Sequence, residues 1–231
     1  MVANSTANWD AAPANNMTLY QEIRAAGKSM HSKSLAATRH LDFNMLLAAK
    51  RMTLPISGKT LIFDGEVAQN AFMDFWFSEY RVQGKSLAES VDPVAAGLTL
   101  LEAECLAACC QSRTSLFLAD VVRPAEHQIR LRDLLAPEHP DVWLTDLGLS
   151  DSLLSIGSRP AFFCRLLVVR GIVMTSGFSF LFDAVRVPGL LDAYHKRTKK
   201  VLPADLPEAR FVFFFQKFLQ FGEDQMYQDV V

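Results

Sequence analysis

"IRLRD", residues 129–133, sets an apolar residue at every second position with an arginine between. Successive side chains of a strand point to opposite faces, so Ile129 and Leu131 share one side while Arg130 and Arg132 share the other. Four runs of similar texture surround it: "TSLFLADVV" (114–122), "DVWLTDL" (141–147), "AFFCRLLVV" (161–169) and "IVMTSGFSFLF" (172–182). Pro124, the stretch 137–140, the stretch 157–160 and Arg170-Gly171 break the chain between them. Five short runs so closely spaced predict antiparallel strands, whose edges a small barrel or compact sheet manages best.

On either side the apolar period becomes helical. Residues 17–26 read as a short helix, with Thr18 as its cap and Gly27 as its stop. Over 34–52, Leu35, Thr38, Leu41, Met45, Leu46 and Ala49 recur at helical spacing. "KTLIFDGE" (59–66) reads as a short strand entering a helix that Asp64 caps, with Glu66 suiting its positive end. That helix, 66–80, carries Phe72, Phe75, Trp76 and Tyr80 three and four apart, a wide apolar face. A further helix is expected over 98–111.

Past Pro188 come "GLLDAYHKRTKK" and "LPEARFVFFFQKFLQFGED", with Pro207 in the first turn of the last helix and Gly222 at its end. Phe211, Phe213, Phe214, Phe215, Phe218 and Phe221 make that helix apolar nearly all round. Burial in its own domain is the first reading, and a homodimer or protein-partner interface the second. The expected class is α+β. A disordered tail (1–16) precedes a helical region (17–111) and a small antiparallel β barrel (112–187), and C-terminal helices (188–231) pack on the rest.

Half of the 231 residues are apolar and 21% are charged, ample for a core. A net charge of −2 gives no global basic field for nucleic acid or acidic lipid. The charge is uneven: seven Lys/Arg face three acids over 1–60, two face eight over 61–111, and eight Arg balance eight acids over 112–187. Arg165, Arg170 and Gly171 interrupt the longest apolar stretch, so no membrane span is expected. The start has no basic n-region and no apolar core of a leader. Four cysteines form no disulfide framework in so long a chain, which suits reduced thiols in the cytoplasm.

Catalytic signals fail one by one. Gly84-Lys85-Ser86 would need a glycine at position 79 to cradle a phosphate, and Glu79 stands there. A helix, not a strand, leads into it, so Gly84 reads as a turn and Ser86 as a cap. Cys105 and Cys109 lie at i and i+4 without a second ligand pair, so they read as core thiols, and no metal or cofactor is expected. "SGFSF" around Ser179 is no nucleophile elbow. Cys164, within an apolar strand, reads as inert, with Arg165 on the opposite face. The candidate binding residues are Arg130, Arg132, Arg165 and Arg170 on an outer strand face, with Asp133 and Asp146 near strand ends. The balanced charge of the strand region and the dipole role of "HKRTKK" (195–200) place nucleic acid behind a protein partner.

"FDGEVAQNAFMDFWFSEYRVQGKSL" (63–87), "SRTSLFLADVV" (112–122), "IRLRDLL" (129–135) and "TDLGLSDSL" (145–153) together resemble an uncharacterised bacterial module found beside Cys/His-rich SEC-C type metal-binding tails. The resemblance spans about 63–182. It implies a helical segment followed by a compact β unit and brings no activity. The Cys-x-Cys and His-Cys ligands are absent here, so metal binding is not carried over.

The sequence therefore points to a non-catalytic cytoplasmic interaction or adaptor protein, using the acidic helical region (66–104) and the arginine-bearing strands. An enzyme site between barrel and helices, holding Asp133, Asp146, Arg132 and His127, is one alternative. An RNA-binding accessory factor is the other.

Overall fold

The computed structural model describes residues 17–41, 43–156 and 160–222. The tail expected over 1–16, the break at 157–159 and the residues after Gly222 lie outside these.

From the N-terminal side, α1 (Met17–Ala37) and α2 (Met45–Arg51) lead to a small hairpin, β1 (Ile56–Ser57) and β2 (Thr60–Leu61). Then come α3 (Glu66–Asp74), a π-helical turn (Phe75–Glu79), the hairpin β3 (Arg81–Val82) and β4 (Lys85–Ser86), α4 (Leu87–Ser90) and α5 (Leu100–Cys110). The strands β5 (Arg113–Arg123), β6 (Gln128–Asp133) and β7 (Val142–Thr145) precede α6 (Leu147–Ile156). After β8 (Ala161–Val169) and β9 (Ile172–Phe182) the chain ends its described part with α7 (Val187–Thr198) and α8 (Leu206–Phe221).

Several helix boundaries differ from the expectation. Gly27 does not stop α1: a helical glycine costs about 1 kcal/mol, and Tyr20, Ile23, Met30 and Ser34 bury one face on both sides of it. The helix expected over 34–52 is two helices. Thr38 turns its hydroxyl back to the Ser34 carbonyl at 2.7 Å as α1 runs out, and Asn44 caps α2 by accepting from Leu46 N and Leu47 N. Asp64 is not the cap of α3; Gly65 holds that position at φ 89°. Gly84 sits at φ 81° between β3 and β4, and Ser86 forms a reciprocal capping box with Glu89 at α4. The Gly-Lys-Ser signal is thus a hairpin turn and a helix cap.

The barrel closes in the order β5-β6-β7-β9-β8. Its neighbours are antiparallel except β7 and β9, which run parallel through Leu144↔Val173, so the all-antiparallel expectation is corrected at this one junction. β5 is long enough to serve two partners: Arg113 to Leu118 pair with β8, and Phe117 to Arg123 with β6, across a register shift near Ala119. Renumbered from its first strand the order is 1-2-3-5-4, with α6 between the third and fourth. That is the connectivity of an OB-type barrel, which fixes an architecture and no activity.

Three apolar clusters follow from the strand period. Inside the barrel, Phe117, Ile129, Leu131, Leu144, Phe162, Cys164 and Leu166 meet Leu149 and Leu153 of α6. Outside β8 and β9, Phe163, Phe178, Phe180 and Phe182 pack against α2, α3, α7 and α8. Farther along the same outer surface, Leu167, Val169, Ile172 and Met174 pack against α1, α4 and α5. The phenylalanines of α8 belong to the second cluster: Phe214 stacks on Phe163 at 4.4 Å and Phe218 on Phe180 at 4.7 Å. Each ring fully withdrawn from water contributes about 1.5–3 kcal/mol. The first reading of that helix holds, because its rings are spent on this chain's own barrel.

Candidate functional site

Arg165 sits on the outer side of β8, between Phe163 of one outer cluster and Leu167 of the other. The alternation read from sequence is correct, yet its outer face is covered by helices, so Arg165 is buried where exposure was expected. Its guanidinium donates to Asp74 Oδ1, Glu79 Oε1 and Ser112 Oγ, each at 2.8 Å. Thr114 Oγ1 adds a bond to the same Glu79 oxygen at 3.1 Å. Side-chain exposure is 4% for Arg165, 11% for Asp74 and 6% for Glu79, so the group is shielded from water. Burial alone would lower the arginine pKa, but the two carboxylates outweigh it and hold it above the ordinary value.

Two departures from regular structure make this contact possible. The π turn closes with Tyr80 N donating to Phe75 O, an i→i+5 bond at 2.9 Å. Such a turn sets residues five apart nearly one above the other, which brings Asp74 and Glu79 to a single guanidinium. On the barrel, one residue of β8, Arg165, stands opposite three of β9, Ser176 to Phe178, between the pairs Cys164↔Ser179 and Leu166↔Thr175. Gly177 takes φ 119° there, a conformation that favours glycine. Bulges of this kind re-aim side chains and recur beside functional sites, as π turns do.

Beside this group lies a cleft of about 450 Å3 between α1, α3 with its π turn, and the bulged strand. Ile23, Met30, Phe77, Leu167, Met174 and Phe178 give it apolar walls. His31, Asp74 and Ser176 bring polar atoms to it. The His31 ring meets Phe77 edge-on at 4.5 Å. Burial lowers its pKa below 6.5, and nearby Asp74 offsets part of that. Ser176 Oγ is buried with no hydrogen-bond partner. Burial pushes the Cys105 thiol up to about 11 and Cys109 up to about 12, with nearby acids adding to both. A smaller cavity of about 220 Å3 lies on the other side of the ion group and shares Ser78 and Cys109 with the cleft. Arg165 and its carboxylates are therefore part of the wall between two hollows.

The other sequence-derived candidates are dispersed. Arg130 donates twice to Asp120 at 2.8 and 2.9 Å, and Arg132 reaches the same carboxylate at 3.2 Å. Asp141 lies at 3.8 and 3.7 Å from the two arginines. Their side chains stay 37% and 53% exposed, so they do share an outer face, as paired charges. Trp143 stands opposite Arg130 on that face, with Arg123 over its ring at 4.0 Å. Arg170 occupies the β8–β9 turn at φ 49° and binds Glu104 at 2.7 Å.

Asp133 is buried and accepts from Ser115 and from the amides of Leu135 and Ala136, closing the turn after β6. Asp146 caps α6 through Leu149 N at 2.9 Å and accepts from Arg24 and Thr175. The two acids belong to opposite ends of β6, since Asp146 N binds His127 O and Gln128 pairs with Thr145. Five steps of strand separate those ends by about 17 Å. The set Asp133, Asp146, Arg132 and His127 is therefore not assembled.

Sequence reasoning missed Asp74, Glu79, His31 and Ser176. A spacing of five places no two side chains on one α-helical face, and the π turn that changes this leaves no periodic trace. The available signal was two acids in "MDFWFSEY" (73–80), a stretch too aromatic to offer them a solvent side. Among the described residues, no group of three or more His, Cys, Asp or Glu is arranged to hold a metal ion, and no helix is long and apolar enough to cross a membrane.

Compared with known families, the chain matches the model of a family of unknown function (DUF7986) over residues 14–228. No curated protein and no solved structure matches it.

Proposed function

We propose that this chain, which belongs to that family of unknown function, is a non-catalytic binding protein whose ligand is a small organic molecule held in the cleft between α1, the π turn and β9. One observation carries the reading: an apolar cleft in the size range of small-molecule sites, at about 450 Å3, whose ionisable groups are already engaged or held out of reactive states. Asp74 and Glu79 are tied to Arg165. The Cys105 and Cys109 thiols are held far from the thiolate form at neutral pH. His31 has no hydrogen bond to an orienting carboxylate among the described residues, an arrangement that general-base catalysis relies on. Such a site is suited to holding a molecule and poorly suited to transforming it.

The interaction-protein expectation continues in this form, with the cleft in place of the aromatic helix, whose rings are taken up inside the fold. Four free thiols support a cytoplasmic setting. The finer likeness to bacterial modules beside SEC-C tails remains part of this proposal, without a metal.

Native mass spectrometry of the purified protein tests the reading. A retained small molecule, released on denaturation and missing from a Gly27→Leu variant that fills the cleft, is the expected result. A bare mass, together with a melting temperature that no member of a broad metabolite panel shifts, would overturn it.

A second reading has its own observation. The outer face of β6 and β7 presents Trp143 with Arg123, Arg130 and Arg132, and stacking rings beside arginines suit single-stranded nucleic acid. Asp120, Asp141 and Glu126 offset those arginines nearly one for one, which weakens it. Binding of a short oligonucleotide that falls steeply with salt would favour it.

A further inference from the structure

Resting on that reading of the cleft, we infer that its ligand carries a positive charge: an amphipathic amine, its apolar body against the cleft walls and its ammonium beside Asp74. Among the described residues Arg165 is the one cation at ion-pair distance from Asp74 or Glu79, so two shielded carboxylates share one guanidinium. Arg210 comes near through Thr114, donating to its carbonyl at 2.7 Å, but forms no ion pair with Glu79. Glu79 is served further by the Thr114 hydroxyl. Asp74 uses Oδ1 on Arg165 and lines the cleft.

The cations at the cleft do not fill that place. Arg24 is committed to Asp146, to the Thr175 carbonyl and to the Thr175 hydroxyl. Lys28 lines the cleft as a solvent-exposed residue, as Glu66 does, and among the described residues it forms no ion pair with Asp74. Among the polar groups that line the cleft, the Asp74 carboxylate, the Ser176 hydroxyl that is buried without a partner, and one ring nitrogen of a neutral His31 can accept a hydrogen bond.

Two carboxylates on one guanidinium keep a net negative charge, and such a charge in an apolar setting favours a cation strongly, because water screens it poorly there. A carboxylate ligand would add a further negative charge beside Asp74. A neutral ligand would leave the existing one unmet. An ammonium is met by Asp74 and can lie against the rings of Phe77 and Phe178, which line the same cleft.

Isothermal titration of the full chain with 2-phenylethylamine, 2-phenylethanol and 3-phenylpropionate separates the possibilities. The amine is expected to bind at least about tenfold tighter than the alcohol, the usual gain of a charge-assisted contact, and the carboxylate weakest. An alcohol or carboxylate that binds as tightly as the amine would overturn the charge assignment and leave the cleft reading standing. Silence from all three would overturn both. Asp74→Asn is expected to reduce amine affinity about tenfold and so to remove most of the amine's advantage over the alcohol. Should that variant unfold, Gly27→Leu decides the location, since a side chain there enters open space. Amine binding that survives it would overturn the assignment.

Discussion

Replacing Arg165 with methionine keeps most of the side-chain volume and removes the shared cation of Asp74 and Glu79. Both carboxylates stay where they are, with 11% and 6% of their side chains exposed. Removing one partner of a buried ion pair costs about 3–5 kcal/mol, because the remaining charge is left uncompensated. Two stranded carboxylates place Arg165→Met at the upper end of that range, a large share of a typical stability of about 5–15 kcal/mol. Urea unfolding at neutral pH, followed by fluorescence, reads the loss as a lower midpoint with an unchanged slope. The companion is a triple variant, Arg165→Met with Asp74→Asn and Glu79→Gln. It removes every charge in the group, so it should recover most of the deficit, and the three substitutions should be strongly non-additive. A single variant that loses less than about 1 kcal/mol, the value of a solvent-exposed pair, would refute the reasoning. So would a triple variant no more stable than the single one.

Gly27→Ala should raise stability by about 0.5–1 kcal/mol, since Gly27 lies within α1 and an added Cβ meets nothing within 4 Å; a destabilised variant in thermal unfolding would show that the cleft needs the glycine. Glu102 is held at about 2 instead of 4.5, chiefly by hydrogen bonds from Lys33 and Ser29 and from the Thr99 amide. Because the unfolded chain takes up that proton first, the contribution is complete above about pH 4.5 and is lost as pH falls toward 2. Glu102→Gln should therefore flatten the acid limb of stability against pH, and an unaltered limb would contradict the assignment.

The barrel was legible because its signal is local: "IRLRD" alternates, and the structure buries Ile129 and Leu131 while leaving Arg130 and Arg132 outside. The same alternation misled at Arg165, since the period tells inside from outside of a sheet and says nothing of a second layer. Its partners lie 91 and 86 residues earlier in the chain. α1 runs past the stop expected at Gly27 because its packing against α5, which no local propensity reports, outweighs one glycine. α6 lies between two strands in a stretch without a clear helical period, and Asp146 caps it. The cleft left no trace in the sequence, as Ile23, His31, Asp74 and Ser176 meet only when helices close over a bulged strand.

α8 follows every barrel strand in chain order, yet it covers Phe163, Phe178 and Phe180 on the outer side of β8 and β9. During synthesis the barrel can close while these rings still face water, a contiguous sticky patch on an otherwise finished unit. Chains truncated before residue 206 should therefore recruit holding chaperones or associate with one another, and chains that continue through residue 221 should do neither. The order of the elements makes the last helix a quality check on the whole: a protein that lacks it is marked by its own exposed aromatics.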